Sequence, residues 1–248
     1  MDIYQHIAPF YEVDMGRNMP FDDIAFWIGR CHGSAGLTLE LGCGSGRITA
    51  RLAAAGIPVL GVDRSTAMLR QLRLHWPEGV SRAPLACADI RTLPFSDGFD
   101  AVLCPYSLVT SLATEEDLQN TLTGIKVALR DGGTLSIDAF VPQPIVDTGV
   151  RQLAYRRPWR DRILERWQRI SPLDDGRNRI EREYRVLAAD LTELDRIHTW
   201  EIVRPYGPQE LRYHLERCGY VIDALNWDYR DGGDEAGARF YAYTCRIR

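Results

Sequence analysis

Apolar positions in the first 140 residues follow two alternating periods. Short apolar runs with the length of buried strands occupy residues 37–41, 58–62, 85–88, 99–103 and 134–140. Segments with apolar positions three and four residues apart lie before and between these runs, at residues 21–31, 47–55, 65–75 and 115–129. Short strands alternating with helices predict βαβ units and therefore an α/β fold with a doubly wound parallel sheet.

The pattern changes after residue 140. Pro142 and Pro144 interrupt the chain, and arginine-rich stretches separated by turn residues follow up to about residue 204. These stretches predict antiparallel strands with one polar face. A helix over 208–218, ended by Gly219, and two final strands predict a return to the main sheet. We therefore expect a core formed by residues 1–140 and 205–248, with residues 141–204 inserted as a β-rich lid over the substrate.

Composition narrows the class of protein. The chain has 248 residues, a net charge of −4 and 45% hydrophobic residues, which are typical of a globular protein. Negative charge disfavours a nucleic-acid partner, and the chain has neither a signal-like start nor an apolar run of membrane-spanning length. We expect a cytoplasmic protein with no membrane partner; a homodimer stays open. The six cysteines form no C-x-x-C pair, so we predict buried free thiols and no metal site.

The stretch "LELGCGSGRIT" at residues 39–49 has the spacing G-x-G-x-G. A dinucleotide loop needs a third glycine where Arg47 or Thr49 stands. Glu40 lies just ahead of the first glycine, where its carboxylate would repel a diphosphate and attract a cation. S-adenosylmethionine (SAM) is such a cationic cofactor, and glycines let the backbone approach it closely. The residues predicted to hold it here are Glu40, Gly42, Cys43 and Gly44.

Together with "VLGVDRSTAML", "ADIRTLPF" and "FDAVLCPYSLVTSL", this stretch resembles class I SAM-dependent methyltransferases. The resemblance covers residues 1–140 and, less closely, the tail from 204, and it implies a Rossmann-like sheet. It implies that Asp63 accepts hydrogen bonds from both ribose hydroxyls. It also implies that Asp89 accepts from the adenine amino group while the Ile90 N–H binds a ring nitrogen. Alone, either aspartate could also be a helix cap or a turn residue. The residues implied to flank the adenine or the methionyl group are Arg64, Met68, Cys104 and Pro105.

The N-terminal stretch "YEVDMGR" resembles the Y-x-x-x-x-G-R sequence of amino-sugar N-methyltransferases. This resemblance implies that Arg17 grips the SAM carboxylate, a role that suits a planar guanidinium. It also implies that Tyr11 closes over the site of methyl transfer as a catalytic residue. Simple apolar packing of the first helix by Tyr11 is the alternative.

Methyl transfer from a sulfonium depends mainly on positioning, and it needs a base only if the acceptor arrives protonated. His198 is the candidate base because it lies in the last stretch of the insertion. His75 and His214 fall on predicted outer helices and are expected to be exposed. The predicted substrate residues are Tyr106, Glu201 and Tyr206.

Two further patterns bear on the acceptor. "CPYS" from Cys104 is similar to the N/D-P-P-Y motif of enzymes that methylate nucleobases or amides, but Cys104 replaces the required acceptor, which weakens that reading. Arginines between 151 and 185 could bind an acidic substrate or a carrier protein, although the interleaved acids favour a salt-bridged surface.

The favoured function is SAM-dependent methyl transfer to a nitrogen or oxygen of a small molecule, such as a natural-product intermediate. One alternative is a SAM-binding protein of the same fold with other chemistry, such as a cyclase or binding module. RNA or protein methylation is a further alternative. A nicotinamide oxidoreductase is disfavoured by the glycine spacing and Glu40.

Overall fold

A computed structural model describes residues 3–18, 22–31 and 36–247, with the side chains of 15–18 left out of the description. The helices are α1 (Tyr4–Ile7), α2 (Tyr11–Asn18), α3 (Ile24–Cys31), α4 (Thr49–Ala54), α5 (Thr66–Leu74), α6 (Glu115–Ala128) and α7 (Pro208–Arg217). The strands are β1 (Thr38–Leu41), β2 (Val59–Asp63), β3 (Leu85–Cys87), β4 (Phe99–Cys104), β5 (Leu129–Phe140), β6 (Gln152–Trp159), β7 (Arg162–Pro172), β8 (Asn178–Leu187), β9 (Glu193–Val203), β10 (Tyr220–Trp227) and β11 (Phe240–Ile247).

Seven strands form the central sheet in the order β10-β11-β5-β4-β1-β2-β3. The strands from β1 to β5 run parallel, whereas β11 pairs antiparallel with β5 and with β10. All four residues of β1 are buried, as expected for a strand covered on both faces. The predicted α/β fold with a doubly wound sheet is therefore confirmed, and the C-terminal tail supplies two of its strands.

A second sheet contains β6, β7, β8 and β9 in sequence order, all antiparallel. Side chains alternate between its two faces. Ile180 pairs with Glu201 on the face toward the central sheet, whereas Glu183 pairs with His198 on the outer face. On that outer face Glu165 and Glu183 are nearly fully buried by arginines, among them Arg156 and Arg185. This part of the arginine-rich stretch is thus a salt-bridged surface.

The N-terminal segment joins the two sheets. Ile7 and Phe10 pack in an apolar cluster with Leu164 and Tyr184 of the four-stranded sheet. In α2 the buried Asp14 carboxylate accepts hydrogen bonds from Tyr155 Oη (2.5 Å), Tyr184 Oη (2.9 Å) and Arg166 Nη1 (2.9 Å). These contacts hold the helix beneath β6, β7 and β8.

Two expectations about exposure were wrong. His214 is buried, with 3% of its surface exposed, because it shares the inner face of α7 with Leu211 and Leu215. Its ring meets the Tyr206 ring edge-on at 6.3 Å. Cys87 is exposed rather than buried. His75 is exposed as predicted. No helix in the described part of the chain is long and apolar enough to cross a membrane.

Candidate functional site

A cavity of about 1010 Å³ lies at the carboxyl edge of the parallel strands. Each of the five parallel strands brings a residue to it, because this edge is where the strand ends converge. These residues are Gly42, Asp63, Asp89, Pro105 and Phe140. The inner face of the four-stranded sheet forms the opposite wall with Ile170, Ile180, Arg182, Glu201 and Val203.

The three glycines of the loop after β1, called here the glycine loop (residues 42–46), have different surroundings. All three have positive φ, where glycine is favoured. Gly42 and Gly44 line the cavity, and the Gly44 N–H donates to Asp63 Oδ2 at 2.9 Å. A Cβ at Gly46 would lie 1.9 Å from Leu72 Cδ1, so this glycine serves the packing of α5 against the loop. Only the first two face the space where a ligand fits.

Asp63 stands at the end of β2 with its carboxylate between two backbone amides. Oδ2 accepts from Gly44, and Oδ1 accepts from Ser65 N–H at 2.8 Å. These two hydrogen bonds orient the Asp63 carboxylate at the cavity wall, and its contact with the ribose stays a prediction.

After β3, Asp89 is paired with Arg91, a residue for which the sequence predicts no role. Arg91 Nη2 donates to Asp89 Oδ2 at 2.6 Å, and Arg91 Nε donates to Oδ1 at 3.0 Å. The hydrogen bonds from Arg91 lower the pKa of Asp89 below its ordinary value. Both side chains line the cavity together with Ile90.

Arg64 and Met68 line the same end of the cavity. Met68 is buried, and its Cε would stand 3.4 Å from a Cβ at Gly44, whereas Arg64 is exposed. The cofactor-side residues predicted after β2 and β3 are therefore gathered at one end of the cavity.

Glu40 and Cys43 lie behind the glycine loop rather than on the cavity wall. Thr49 Oγ1 donates to the Glu40 carboxylate, and burial raises the pKa of Glu40 to about 8. Glu40 is therefore largely protonated at neutral pH, so its charge is a weaker argument for a cationic ligand than the glycine spacing. The Cys43 N–H donates to Val62 O at 2.9 Å and ties the loop to β2.

After β4 the chain turns sharply into the cavity. Cys104 is fully buried behind the wall, whereas Pro105 and Tyr106 line the cavity. Tyr106 and Ser107 both have left-handed backbone conformations, with φ of 59° and 55°. Two consecutive non-glycine residues in this region are unusual and must be held by their surroundings.

Tyr11 also lines the cavity, and its ring meets the ring of Tyr4 edge-on at 5.6 Å. Burial raises the pKa of both hydroxyls well above the ordinary tyrosine value. The Arg17 side chain lies outside the described residues, so its predicted contact with the SAM carboxylate stays a prediction.

The three residues predicted on the acceptor side beyond Tyr106 do not lie together. Glu201 lines the cavity and accepts a hydrogen bond from Arg182. His198 is three residues away on the same strand and therefore projects from the outer face, where its side chain is 52% exposed and its Nε2 is 3.5 Å from Glu183 Oε2. Tyr206 is buried beside the cavity; its hydroxyl donates to Leu112 O at 2.7 Å, and burial raises its pKa to about 12.

Several cavity residues were not predicted from the sequence, because only the tertiary structure shows which side chains face the cavity. Arg166 and Arg182 looked like members of a surface charge pattern, although strand alternation places both on the inner face. Tyr4 also lines the cavity, and it belongs to no motif that the sequence predicts for the site. No described histidine lines the cavity, and the described residues contain no cluster of three or more metal-binding side chains.

Residues 38–133 match the family model described as a methyltransferase domain. A Bacillus subtilis (strain 168) protein named putative methyltransferase YqeM is 25% identical to this chain. The match covers 92% of this chain and 91% of the Bacillus protein. A SAM-dependent methyltransferase from Clostridium acetobutylicum superposes with a TM-score of 0.79 at 18% identity, covering 98% of both chains. The sugar N-methyltransferase KedS8 from Streptoalloteichus has a TM-score of 0.74 at 20% identity, covering 96% of this chain and 93% of its own.

The matched domain contains the glycine loop, Asp63, Asp89 and the strands that carry them. The solved structures share the arrangement of both sheets over nearly the whole chain, which establishes the fold. The resemblance seen in the sequence is therefore confirmed: residues 38–133 match a methyltransferase domain, and solved SAM-dependent methyltransferases share the fold of the chain.

Proposed function

We propose that this protein transfers the methyl group of SAM to an amine of a small molecule, with transfer to a hydroxyl as the second candidate. The observation that carries the proposal is one continuous cavity that runs from Asp63 and the glycine loop to Glu201 on the four-stranded sheet. Its volume of about 1010 Å³ is large for a small-molecule site and suits a cofactor together with a second compound.

The cofactor would occupy the end of the cavity formed by the strand termini. Asp63 would accept from the ribose hydroxyls, and Asp89 and Ile90 would contact the adenine, with Arg64 and Met68 beside it. Gly42, Gly44 and Pro105 would border the methionyl portion, while Glu40, Cys43 and Cys104 would support that wall from behind. Arg17 is proposed to bind the SAM carboxylate.

The acceptor would bind between Tyr11, Tyr106 and the inner face of the four-stranded sheet. In this proposal residues 141–204 act as a lid on a core formed by residues 1–140 and 205–248. Glu201 would accept a hydrogen bond from the N–H of a neutral amine, and its bond from Arg182 fixes the carboxylate in place. Its position on the cavity wall supports a polar acceptor.

Nitrogen is favoured over oxygen by the acid–base groups that face the cavity. A neutral amine already has a lone pair for attack, whereas a hydroxyl has to lose a proton to a base. Burial raises the pKa of Tyr4, Tyr11 and Tyr184, so these hydroxyls stay protonated at neutral pH. The Asp14 carboxylate already accepts three hydrogen bonds. The sugar N-methyltransferase among the structural relatives points the same way.

Labelled SAM, incubated with a panel of amino sugars and alkyl amines, tests the proposal. Hydroxyl compounds of the same carbon skeletons provide the matched comparison. We expect S-adenosylhomocysteine release and label in the amines. Label in the hydroxyl compounds alone would establish the oxygen acceptor instead.

Two other outcomes would reject small-molecule methylation. Calorimetric binding of SAM without S-adenosylhomocysteine release would indicate a SAM-binding protein with different chemistry. Label that enters RNA or protein from a lysate, but none of the small molecules, would indicate a macromolecular acceptor.

A further inference from the structure

Asp138 does not line the cavity itself. It contacts the backbone of Tyr106 and Ser107, the cavity-wall residues with left-handed conformations. It lies on β5 beside the point where β4 ends, and it is completely buried. Its Oδ1 accepts from the Ser107 N–H at 2.6 Å, and a further hydrogen bond comes from the Tyr106 backbone. The carboxylate therefore binds the two residues that adopt left-handed conformations.

Tyr229 completes the arrangement from the opposite side. Its hydroxyl donates to Asp138 Oδ2 at 2.5 Å, so both carboxylate oxygens are engaged. The Ser107 hydroxyl in turn accepts from the Phe140 N–H at 3.0 Å, which joins the loop to the end of β5. A backbone that is unfavourable by itself persists when several such contacts specify it.

The consequence of this conformation is the placement of Tyr106. Its ring lies 5.8 Å from the Phe140 ring and 5.8 Å from the Arg47 guanidinium, and it faces the cavity near Tyr11. Arg47 is itself fixed by two hydrogen bonds to the buried Asp23. A small rotation at residue 106 or 107 would move the ring out of the wall.

We propose that Asp138 is a positioning residue for methyl transfer, which acts through the backbone of Tyr106 and Ser107 to hold the Tyr106 ring at the acceptor. This inference rests on the proposed function. The ionised carboxylate is the form that holds the loop, because both of its oxygens accept hydrogen bonds. Protonation would turn one oxygen into a donor facing the Tyr229 hydroxyl, and the contacts would weaken.

Burial raises the pKa of Asp138 to about 7, so the two forms exchange near neutral pH. Titratable or charged groups from several elements face Asp138. They are Cys104 on β4, Tyr241 on β11, Asp23 just before α3, Arg47 just before α4 and Tyr229 just after β10. The thiol and the tyrosines have raised pKa values and stay neutral in this range. Acceptor kcat/KM should therefore fall as the pH drops through about 7.

The first test measures positioning without any acceptor. Hydrogen exchange of the Ser107 amide is compared between the wild type and Asp138→Ala. We expect exchange faster by on the order of tenfold, because the amide loses a charged acceptor. Unchanged exchange would overturn the inference. This readout works even if the protein transfers no methyl group, so failure of the proposed function is distinguishable from failure of this one.

The second test follows kcat/KM against pH in conservative variants. Asp138→Asn should remove the step near pH 7 and leave only the dependence that comes from the titration of the acceptor amine itself. Tyr229→Phe should move the fall to higher pH, because the carboxylate loses a donor that favours its ionised form. Tyr220→Phe is the matched control, since its hydroxyl donates to Leu122 O at 2.8 Å far from this loop. A profile that keeps its wild-type midpoint in both Asp138→Asn and Tyr229→Phe would contradict the assignment.

Discussion

At the scale of single residues, Asp63 connects three segments of the chain. It ends β2, it binds the glycine loop through the Gly44 amide, and it binds the start of α5 through the Ser65 amide. The same carboxylate thus shapes the loop and faces the cavity, so its loss should affect ligand binding in two ways.

We expect Asp63→Ala to weaken SAM binding by about ten- to a hundredfold, the effect of losing hydrogen bonds to a charged group. Isothermal calorimetry with SAM measures this change. Asp223→Ala is the control, because Asp223 pairs with Arg246 on the far side of the central sheet. Equal affinity in wild type and Asp63→Ala would remove Asp63 from the cofactor site.

Gly46 provides a second prediction at this scale. Gly46→Ala combines a left-handed backbone with a Cβ placed 1.9 Å from Leu72 Cδ1. Gly56→Ala has the backbone effect alone, since no atom lies within 4 Å of its Cβ. We expect a loss of about 1–2 kcal/mol of unfolding free energy for Gly56→Ala. Gly46→Ala should lose roughly 1–3 kcal/mol more from overpacking. Urea unfolding compares the two; equal losses would contradict the packing role of Gly46.

At the scale of elements, the junction between α2 and the four-stranded sheet depends on one buried carboxylate. Asp14 and Arg166 have side chains that are only 8% and 7% exposed, and the pair lies at the cavity wall. Two tyrosine hydroxyls from β6 and β8 complete the carboxylate's hydrogen bonds. The helix that carries Tyr11 is therefore held by polar contacts as well as by the apolar cluster around Phe10.

Asp14→Ala would leave the Arg166 guanidinium buried without its ion partner. We expect the free energy of unfolding to fall by about 3–5 kcal/mol, measured by urea titration. Glu193→Ala breaks the exposed pair with Arg196 and should leave the free energy of unfolding nearly unchanged, because solvent screens these charges. Similar losses in the two variants would show that the Asp14 contacts add little to the junction.

At the scale of the whole molecule, buried carboxyl groups make stability depend on pH. Burial raises the pKa of Glu40 from 4.5 to about 8. The folded protein therefore keeps a proton that the unfolded chain releases near 4.5, and the contribution of Glu40 to stability declines as the pH rises between these values. Asp138 acts in the same direction up to about 7.

Glu40→Gln should keep the bond from Thr49 while it removes this titration. We expect the wild type to lose more unfolding free energy than the variant between pH 5.5 and pH 8, as measured by urea unfolding at both values. Glu193→Gln is the control at an exposed position. A parallel pH dependence in wild type and Glu40→Gln would indicate that Glu40 is ionised throughout.

The order of helices and strands, and the residues at the carboxyl ends of the parallel strands, could be predicted from the sequence. Strands such as β1 and β4 are short segments with mostly buried residues, and parallel pairing brings the residues after them to one edge of the sheet. Asp63 and Asp89 could therefore be placed together without a structure. Strand alternation would also have separated His198 from Glu201, because residues three apart on a strand face opposite ways.

The sequence by itself determined the α/β core, the glycine loop and the type of cofactor, because these depend on local periodicity and on short spacings. Only the tertiary structure decided which inserted residues face the cavity, that Glu40 lies behind the loop, and that Asp14 and Asp138 are held by partners distant in the chain. The physical reason is that burial and pairing depend on which surfaces meet. The local sequence around a polar residue can be the same whether its side chain lies in solvent, at a cavity wall or inside the core.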